Sequence, residues 1–332
     1  MRLNDTKQGA QLTANVFIDG VVGTTGLVIF DMLSGRTDVE VICLDESQRK
    51  SDTARREALS DADLAILCLP DEPARQAAQW ASNSDTKVID ASTAHRTHRD
   101  WVYGMPELNA ETREAIRSAK RTANPGCYPT AVILMLRPLI DAQVISADAP
   151  LAIHALSGYS GGGKKMIERW EDADGELARL PYSAPYALWS SHKHISEMMK
   201  YCALSSEPQF LPRVGNFPQG MRVEIPLNAS LLKRTDTDMR QFSAELLGRR
   251  YRDEKFVSVR QWSVTDTSVE TSFDPTVCNR TNSIEIHICP HRSGHITLIG
   301  ILDNLGKGAG GAAVQSMNLM LGFDEGEGLS VR

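Results

Sequence analysis

A chain of 332 residues exceeds one typical core, which predicts two packed domains with a cleft between them deep enough to bury catalytic groups. Apolar residues at 42% and charged residues at 23% exclude a disordered chain. The net charge of -6 gives no electrostatic case for nucleic acid or an anionic membrane as a partner, so a small-molecule substrate is expected.

No apolar run approaches the roughly 18 to 20 residues that span a bilayer. The polar start, MRLNDTKQGAQLTAN, lacks the apolar core of a secretory signal, so a cytoplasmic protein is expected. The six cysteines, at 43, 68, 127, 202, 278 and 289, show neither a C-x-x-C pair nor a Cys/His ligand spacing. Free thiols are expected, with no disulfide framework and no metal site, five of them as small buried apolar residues.

From Asn15 to about Ala123 short apolar runs alternate with helix-like stretches. NVFID precedes TTGLVIFDML, VEVICL precedes a polar helical stretch, LAILCLP precedes another helix, and KVIDA follows; this rhythm predicts parallel βαβ units. Beyond Leu151 the strands lengthen and alternate, as in MRVEIPL, KFVSVRQWSV, SIEIHIC and HITLIGIL. Ile284, Ile286 and Ile288 share one face there and Glu285 and His287 the other, which predicts an antiparallel or mixed sheet. From Gly306 the chain is glycine-rich and then helical, with Val314, Met317 and Leu321 forming an apolar stripe. No repeat or Pro-rich linker separates the halves, so the domain boundary falls between elements.

Gly20, Gly23 and Gly26 form a G-x-x-G-x-x-G turn between the first strand and an apolar helix. Glycines let the backbone approach a pyrophosphate while the helix N-terminus attracts its charge, although the spacing departs from the usual G-x-G-x-x-G and also fits a plain tight turn. After the second strand, Asp45 suits a ribose 2′-hydroxyl, whereas Arg49 and Lys50 suit a 2′-phosphate; NAD and NADP both stay open.

In NPGCYPT, Pro129 is tolerated only in a first helical turn, so a helix should begin near Cys127 and set its sulfur against the positive end of the helix dipole. That placement is expected to lower the thiol pKa and to make Cys127 a nucleophile toward an acyl carbon. His192 and His194, two apart with Glu197 following, offer an acid-base partner. His287, His291 and His295 carry no assignment. The loop from Ser157 to Lys165 is glycine-rich and cationic, fitting a phosphate or a hinge, and the stretch around Ser92 and Arg96 adds a hydroxyl and a guanidinium after a strand.

Over nearly its whole length the chain resembles the short (type 2) form of the N-acetyl-gamma-glutamyl-phosphate reductase family, within the semialdehyde dehydrogenase superfamily. IDGVVGTTGL, CLPD, IDASTAHR, WVYGMPEL, NPGCYPT, LSGYSGGGKK, HKHISEM, FPQGMRVEIPL and LDNLGKGAGGAAVQSMNLMLG carry the resemblance, NPGCYPT most specifically. It implies an α/β fold: a Rossmann-like parallel-sheet domain of residues 1–126 plus 305–332, completed by the C-terminal helix, and an α+β catalytic and oligomerisation domain of residues 127–304 with a mixed or antiparallel sheet. It implies Cys127 as nucleophile, with His192, or secondarily His194, as acid-base. It also implies Gly20, Gly23, Thr24, Thr25 and Gly26 as cofactor contacts, with Ser157, Gly158, Gly161 and Asn304 toward the nicotinamide. The cofactor implied is NADP(H), and the assembly a homo-oligomer, dimer or tetramer. Ser92, Arg96 and Lys164 are candidates for the substrate's phosphate or carboxylate. The reaction implied is reduction of an acyl phosphate through a Cys127 thioester; an aspartate-semialdehyde dehydrogenase, a nucleotide-binding regulator without catalysis and a cysteine hydrolase are the alternatives.

Overall fold

The computed structural model describes residues 13–233, 238–265 and 272–332; the first twelve residues of the expected nucleotide domain lie outside the described ones. The first half runs β1 (Ala14–Asp19), α1 (Thr24–Leu33), β2 (Val39–Ile42), α2 (Asp52–Asp61), β3 (Leu64–Leu67), α3 (Asp71–Trp80), β4 (Lys87–Asp90), β5 (Val102–Tyr103), α4 (Ala110–Ser118) and β6 (Arg121–Ala123). The second half runs α5 (Cys127–Asp141), β7 (Ala152–Gly158), α6 (Lys164–Glu171), β8 (Ala184–Pro185), α7 (Ile195–Cys202), β9 (Gln209–Gly215), β10 (Met221–Leu227), α8 (Met239–Arg250), β11 (Val257–Gln261), β12 (Ile284–Pro290), β13 (Ile296–Leu302) and α9 (Gly311–Leu321).

The first sheet is parallel throughout, in the order β2-β1-β3-β4-β6-β5. Its strands are apolar at successive positions because both faces are covered. Val16 and Ile18 pack toward α1, α4 and α9, whereas Phe17 packs toward α2 and α3. The second sheet is mixed, in the order β11-β12-β13-β10-β7-β9-β8, with β11–β12 and β7–β9 parallel. One face packs on α5, α7 and α8. The other was expected to be polar along β12, yet His287 is buried: the stretch before β12 folds across that face and sets Phe273 against its ring.

Helix α5 begins at Cys127 and carries Pro129 in its first turn and Pro138 within it. Pro138 has no N–H to offer Leu134, four residues back. The Tyr251 hydroxyl donates to that carbonyl instead, at 2.7 Å, so a proline that would break an exposed helix is accommodated in the core.

Helix α9 returns to the first sheet, packing on α1, α4, β3 and β4. The expected stripe holds at Val314 and Met317, but Leu321 is only half-buried, and the polar residues Gln315, Ser316 and Asn318 are buried as well. The helix is enclosed on all sides rather than amphipathic, because it lies between the sheet and the segments leading to α5. Its enclosed polar groups require partners. Gln315 receives Lys307 Nζ at 2.6 Å and donates to Glu107 at 2.8 Å, and Lys307 bonds Glu107 at 2.6 Å with both side chains out of water. Burial raises the Glu107 carboxyl, but Lys307 and Gln315 outweigh it and hold the group below its ordinary value. The pair's contribution is therefore present above the carboxylate range and is lost as pH falls through it. Among the described residues no helix is long and apolar enough to cross a membrane.

Removing one partner of a buried pair leaves an uncompensated charge. Lys307→Ala should lower stability by about 3–5 kcal/mol, read as the shift in a urea denaturation midpoint at neutral pH. A shift corresponding to under about 1 kcal/mol would show that the pair contributes no more than a surface contact.

Candidate active site

The start of α5 is the floor of a cleft of about 410 Å³ between the two sheets. Backbone extended through Gly126 hands the chain from β6 into the helix, so Cys127 is the first helical residue. Gly126 is required by crowding: a β-carbon there would stand 2.5 Å from Arg96 Nη1, 2.7 Å from His194 Nε2 and 3.0 Å from Glu197 Oε2. Three polar groups from two distant segments thus converge on the residue preceding the thiol.

Glu197, in the first turn of α7, is fully buried. One of its oxygens accepts the Gly126 N–H at 2.8 Å and the Tyr103 hydroxyl at 2.7 Å; the other accepts Arg96 Nη1 at 3.3 Å. Arg96 also donates to the Ala91 carbonyl and accepts the Tyr201 hydroxyl on its own carbonyl.

The two histidines lie on the rim and floor of the same cleft, ring centres 4.8 Å apart. His192 Nδ1 accepts the His194 backbone N–H at 3.2 Å, so its neutral ring carries the proton on Nε2, 3.4 Å from the Tyr186 hydroxyl. Burial, with Lys193 and Arg96 nearby, pulls His192 down to about 4. His194 is more deeply buried, with Nε2 over Gly126, and burial followed by Arg96 holds it well below the usual histidine range. Both rings are neutral at neutral pH.

The Cys127 thiol departs from expectation. Burial pushes it above its ordinary value, and the opposing pull of Arg96, the Tyr128 N–H and Lys193 does not reverse this. The helix start is where the spacing of NPGCYPT puts it, but the cost of a charge out of water exceeds what the helix end returns.

Across the cleft, Gly20 adopts a φ of +89°, a conformation that favours glycine, and its backbone packs on the Cys68 carbonyl. The following helix α1 has no side-chain cap at Gly23 and no acid in its first turn. Its free N–H groups, with Thr24 and Thr25 lining the cleft, fit a pyrophosphate. Asn304 accepts the Gly220 N–H at 2.7 Å and donates to Ser160 at 3.0 Å, which holds the glycine loop after β7 against the cleft.

Two family profiles match this chain: residues 15–118 match "Semialdehyde dehydrogenase, NAD binding domain", and residues 127–304 match "Semialdehyde dehydrogenase, dimerisation domain". A curated relative from Trichormus variabilis, named N-acetyl-gamma-glutamyl-phosphate reductase, is 42% identical over 95% of this chain and 98% of its own. The chain belongs to the N-acetyl-gamma-glutamyl-phosphate reductase family. A relative of the same name from Burkholderia cenocepacia is 43% identical over 92% of this chain and 97% of its own. The fold is also that of the solved aspartate semialdehyde dehydrogenase II from Vibrio cholerae, at 18% identity and a TM-score of 0.68 over 93% of this chain and 98% of that one.

The cleft brings together Cys127, His192, His194, Arg96 and Lys164 from the catalytic and substrate expectations. It also gathers Gly23, Thr24, Thr25, Ser157, Gly158, Gly161 and Asn304 from the cofactor expectations. Lys164 stands at the edge, largely exposed. Ser92 stands apart from these. It does not line the cleft; its hydroxyl donates to Asp90 at 2.8 Å and accepts the Ala94 N–H at 3.1 Å, which shapes the loop that carries Arg96. Gly20 and Gly26 likewise serve close packing, Gly26 lying where a β-carbon would stand 2.5 Å from the Gly20 carbonyl. Lys193, Tyr128 and Tyr186 also line the cleft and were not anticipated. Glu197 was visible only as an acid following the histidines; nothing in its spacing announces the Gly126 contact.

Iodoacetamide labelling of the ligand-free protein across pH, read at the Cys127 peptide by mass spectrometry, should give a midpoint above the roughly 8.5 of a free thiol. A midpoint below that value would mean that the helix end and the cations outweigh burial.

Proposed function

We propose that this protein reduces N-acetyl-L-glutamyl 5-phosphate to N-acetyl-L-glutamate 5-semialdehyde and phosphate with NADPH, in arginine biosynthesis, through a thioester on Cys127. The observation that carries this reading is the meeting of Cys127, a histidine pair and the uncapped start of α1 in one cleft. The relatives' shared name supplies the substrate. In this reading residues 1–126 and 305–332 form the NADP-binding unit and residues 127–304 the catalytic and oligomerisation unit. The match of the latter to a dimerisation domain favours a homo-oligomer.

NADP rather than NAD is favoured by the cations after the second strand: Asp45 turns one carboxylate oxygen to Ser47 and Gln48 within its own loop, while Arg49 and Lys50 suit a 2′-phosphate. Arg49 pairs with Glu46 on the surface, a contact worth about 0–1 kcal/mol, which a 2′-phosphate displaces at little cost.

Cys127 Sγ passes its proton to His194 Nε2 and bonds to the acyl carbon, and the carbon–oxygen bond to phosphate breaks. Arg96 and Lys193 hold the departing phosphate, which takes its proton from water. His192, with its proton on Nε2, and the first-turn N–H groups of α5 donate to the oxygen as it becomes negative. With NADPH held by the α1 start and the glycine loop after β7, its nicotinamide would supply hydride to the thioester carbon. The resulting oxyanion reforms its carbonyl as the carbon–sulfur bond breaks, and His194 returns its proton to the leaving sulfur. Its weak basicity favours that return. In this reading the two rings share the work expected mainly of His192.

Phosphate-dependent NADP reduction with N-acetylglutamate semialdehyde tests the reading. The intact protein should turn over, Cys127→Ser should be inactive, and His192→Ala should lose roughly 100- to 1,000-fold in kcat, as for a lost oxyanion donor. A folded protein inactive on this substrate but active on aspartate semialdehyde would move the assignment to the sister enzyme; turnover by the serine variant would remove Cys127 as nucleophile.

A further inference from the structure

We infer that the π-helical turn Gly306–Gly310 is a spacer that sets the separation between the start of α1 and the Cys127 thiol, with Gly308 and Gly310 as the positioning residues that define its thickness. The inference rests on the reading above, in which α1 holds NADPH and Cys127 carries the thioester.

The turn lies between α1 and α5 and packs on both. On the α5 side, a β-carbon at Gly308 would stand 2.7 Å from the Cys127 β-carbon. On the α1 side, a β-carbon at Gly310 would stand 2.9 Å from Val28 Cγ1 and 3.3 Å from Ile29 Cγ1. Each glycine admits one helix onto bare backbone, so main chain alone separates the nucleotide helix from the thiol helix at this point.

The turn is also pinned against shifting as a body. The Gly308 N–H donates to the Asp303 carbonyl at 2.9 Å and the Gly310 N–H to the Leu305 carbonyl at 2.8 Å, the five-residue spacing of a π-helix. The Ala309 carbonyl accepts from Asn124 Nδ2 at 2.9 Å, which ties the turn to the chain three residues ahead of Cys127. Lys307 anchors it through the buried bonds to Glu107 and Gln315. Gly308 and Ala309 line the cleft together with Cys127, Thr24 and Thr25, so a shift of the turn would reach the site directly.

The two chemical steps depend on this spacing differently. Attack of Cys127 on the acyl carbon uses the α5 start, the histidines and the cations beside them. Hydride transfer needs the cofactor held by α1 in register with α5 as well. A thicker turn on its α1 side therefore slows the second step and spares the first, a split that a general loss of stability would not produce.

Mass gain at the Cys127 peptide after incubation with N-acetylglutamyl phosphate alone reports thioester formation, and single-turnover NADPH oxidation reports hydride transfer. In Gly310→Ala hydride transfer should fall about 10- to 100-fold, as for a misplacement of about 1 Å, while thioester formation keeps the parent rate. Gly308→Ala, which presses on the cysteine itself, should slow thioester formation too. Val28→Ala removes the methyl that the new β-carbon at position 310 would meet. The double variant Gly310→Ala/Val28→Ala should therefore transfer hydride faster than either single variant, and its comparison with Val28→Ala decides if Gly310→Ala alone does not fold. Equal slowing of both steps in Gly310→Ala, no slowing of either, or a double variant no faster than the single ones overturns the proposal. An intact protein that gains no mass at Cys127 and oxidises no NADPH sinks the functional reading itself; one that does both while the variants show no split sinks only the spacer.

Discussion

The chain buries charge at the seam between its two sheets, and much of the rest of the structure is arranged to make that tolerable. An isolated ion out of water costs several kcal/mol even after relaxation, so each must be matched by a partner whose position is fixed. Glu197 is matched by Arg96, a backbone N–H and a tyrosine; Glu107 is matched by Lys307 and Gln315. Both sets tie the first half of the chain to the second. Arg96 and Glu107 come from the segments around the parallel sheet, whereas Glu197 and Lys307 come from beyond α5. The cleft walls are held by directional bonds as well as by apolar packing, which suits a site that must keep a thiol, two histidines and two cations in register.

The same requirement explains the path of the C-terminal segment. After β13 the chain leaves the mixed sheet through a π-helical turn, Gly306–Gly310, and α9 then fills the remaining space on the parallel sheet. Gly308 rests against Cys127, where a β-carbon would come within 2.7 Å of the cysteine's own. The last helix thereby links the nucleotide half to the floor of the cleft, and the Lys307 ion pair fixes the turn one residue before that contact.

Periodicity exposed the parallel units because strands covered on both faces read as unbroken apolar runs; the first strand ends at Asp19 as read, whereas LAILCLP and KVIDA end as strands earlier, at Leu67 and Asp90. The start of α5 was equally legible, since Pro129 admits only one helical register. What escaped was set by tertiary burial. The polar face of β12 gave no hint that His287 would be covered, and α9 showed an apolar stripe without showing that its polar side would be enclosed as well. Ser92 read as a ligand group because it follows a strand; whether a hydroxyl faces a ligand or its own loop depends on Asp90 two residues earlier, and both outcomes fit the same residues.

The thiol shows most clearly where local reasoning stops. A helix end is worth up to about 2 kcal/mol in favourable, partly buried positions, and the half-buried Cys127 loses more to desolvation than Arg96, the Tyr128 N–H and Lys193 return. The balance sets the thiol above its ordinary value. Its neighbours are set the same way, since both histidines are held neutral by the burial that keeps the sulfur neutral. In the proposed mechanism the new charges on sulfur and ring appear together, as a proton moves from one to the other, and Arg96 and Lys193, which pull the thiol's pKa down, favour the sulfur's half of that pair.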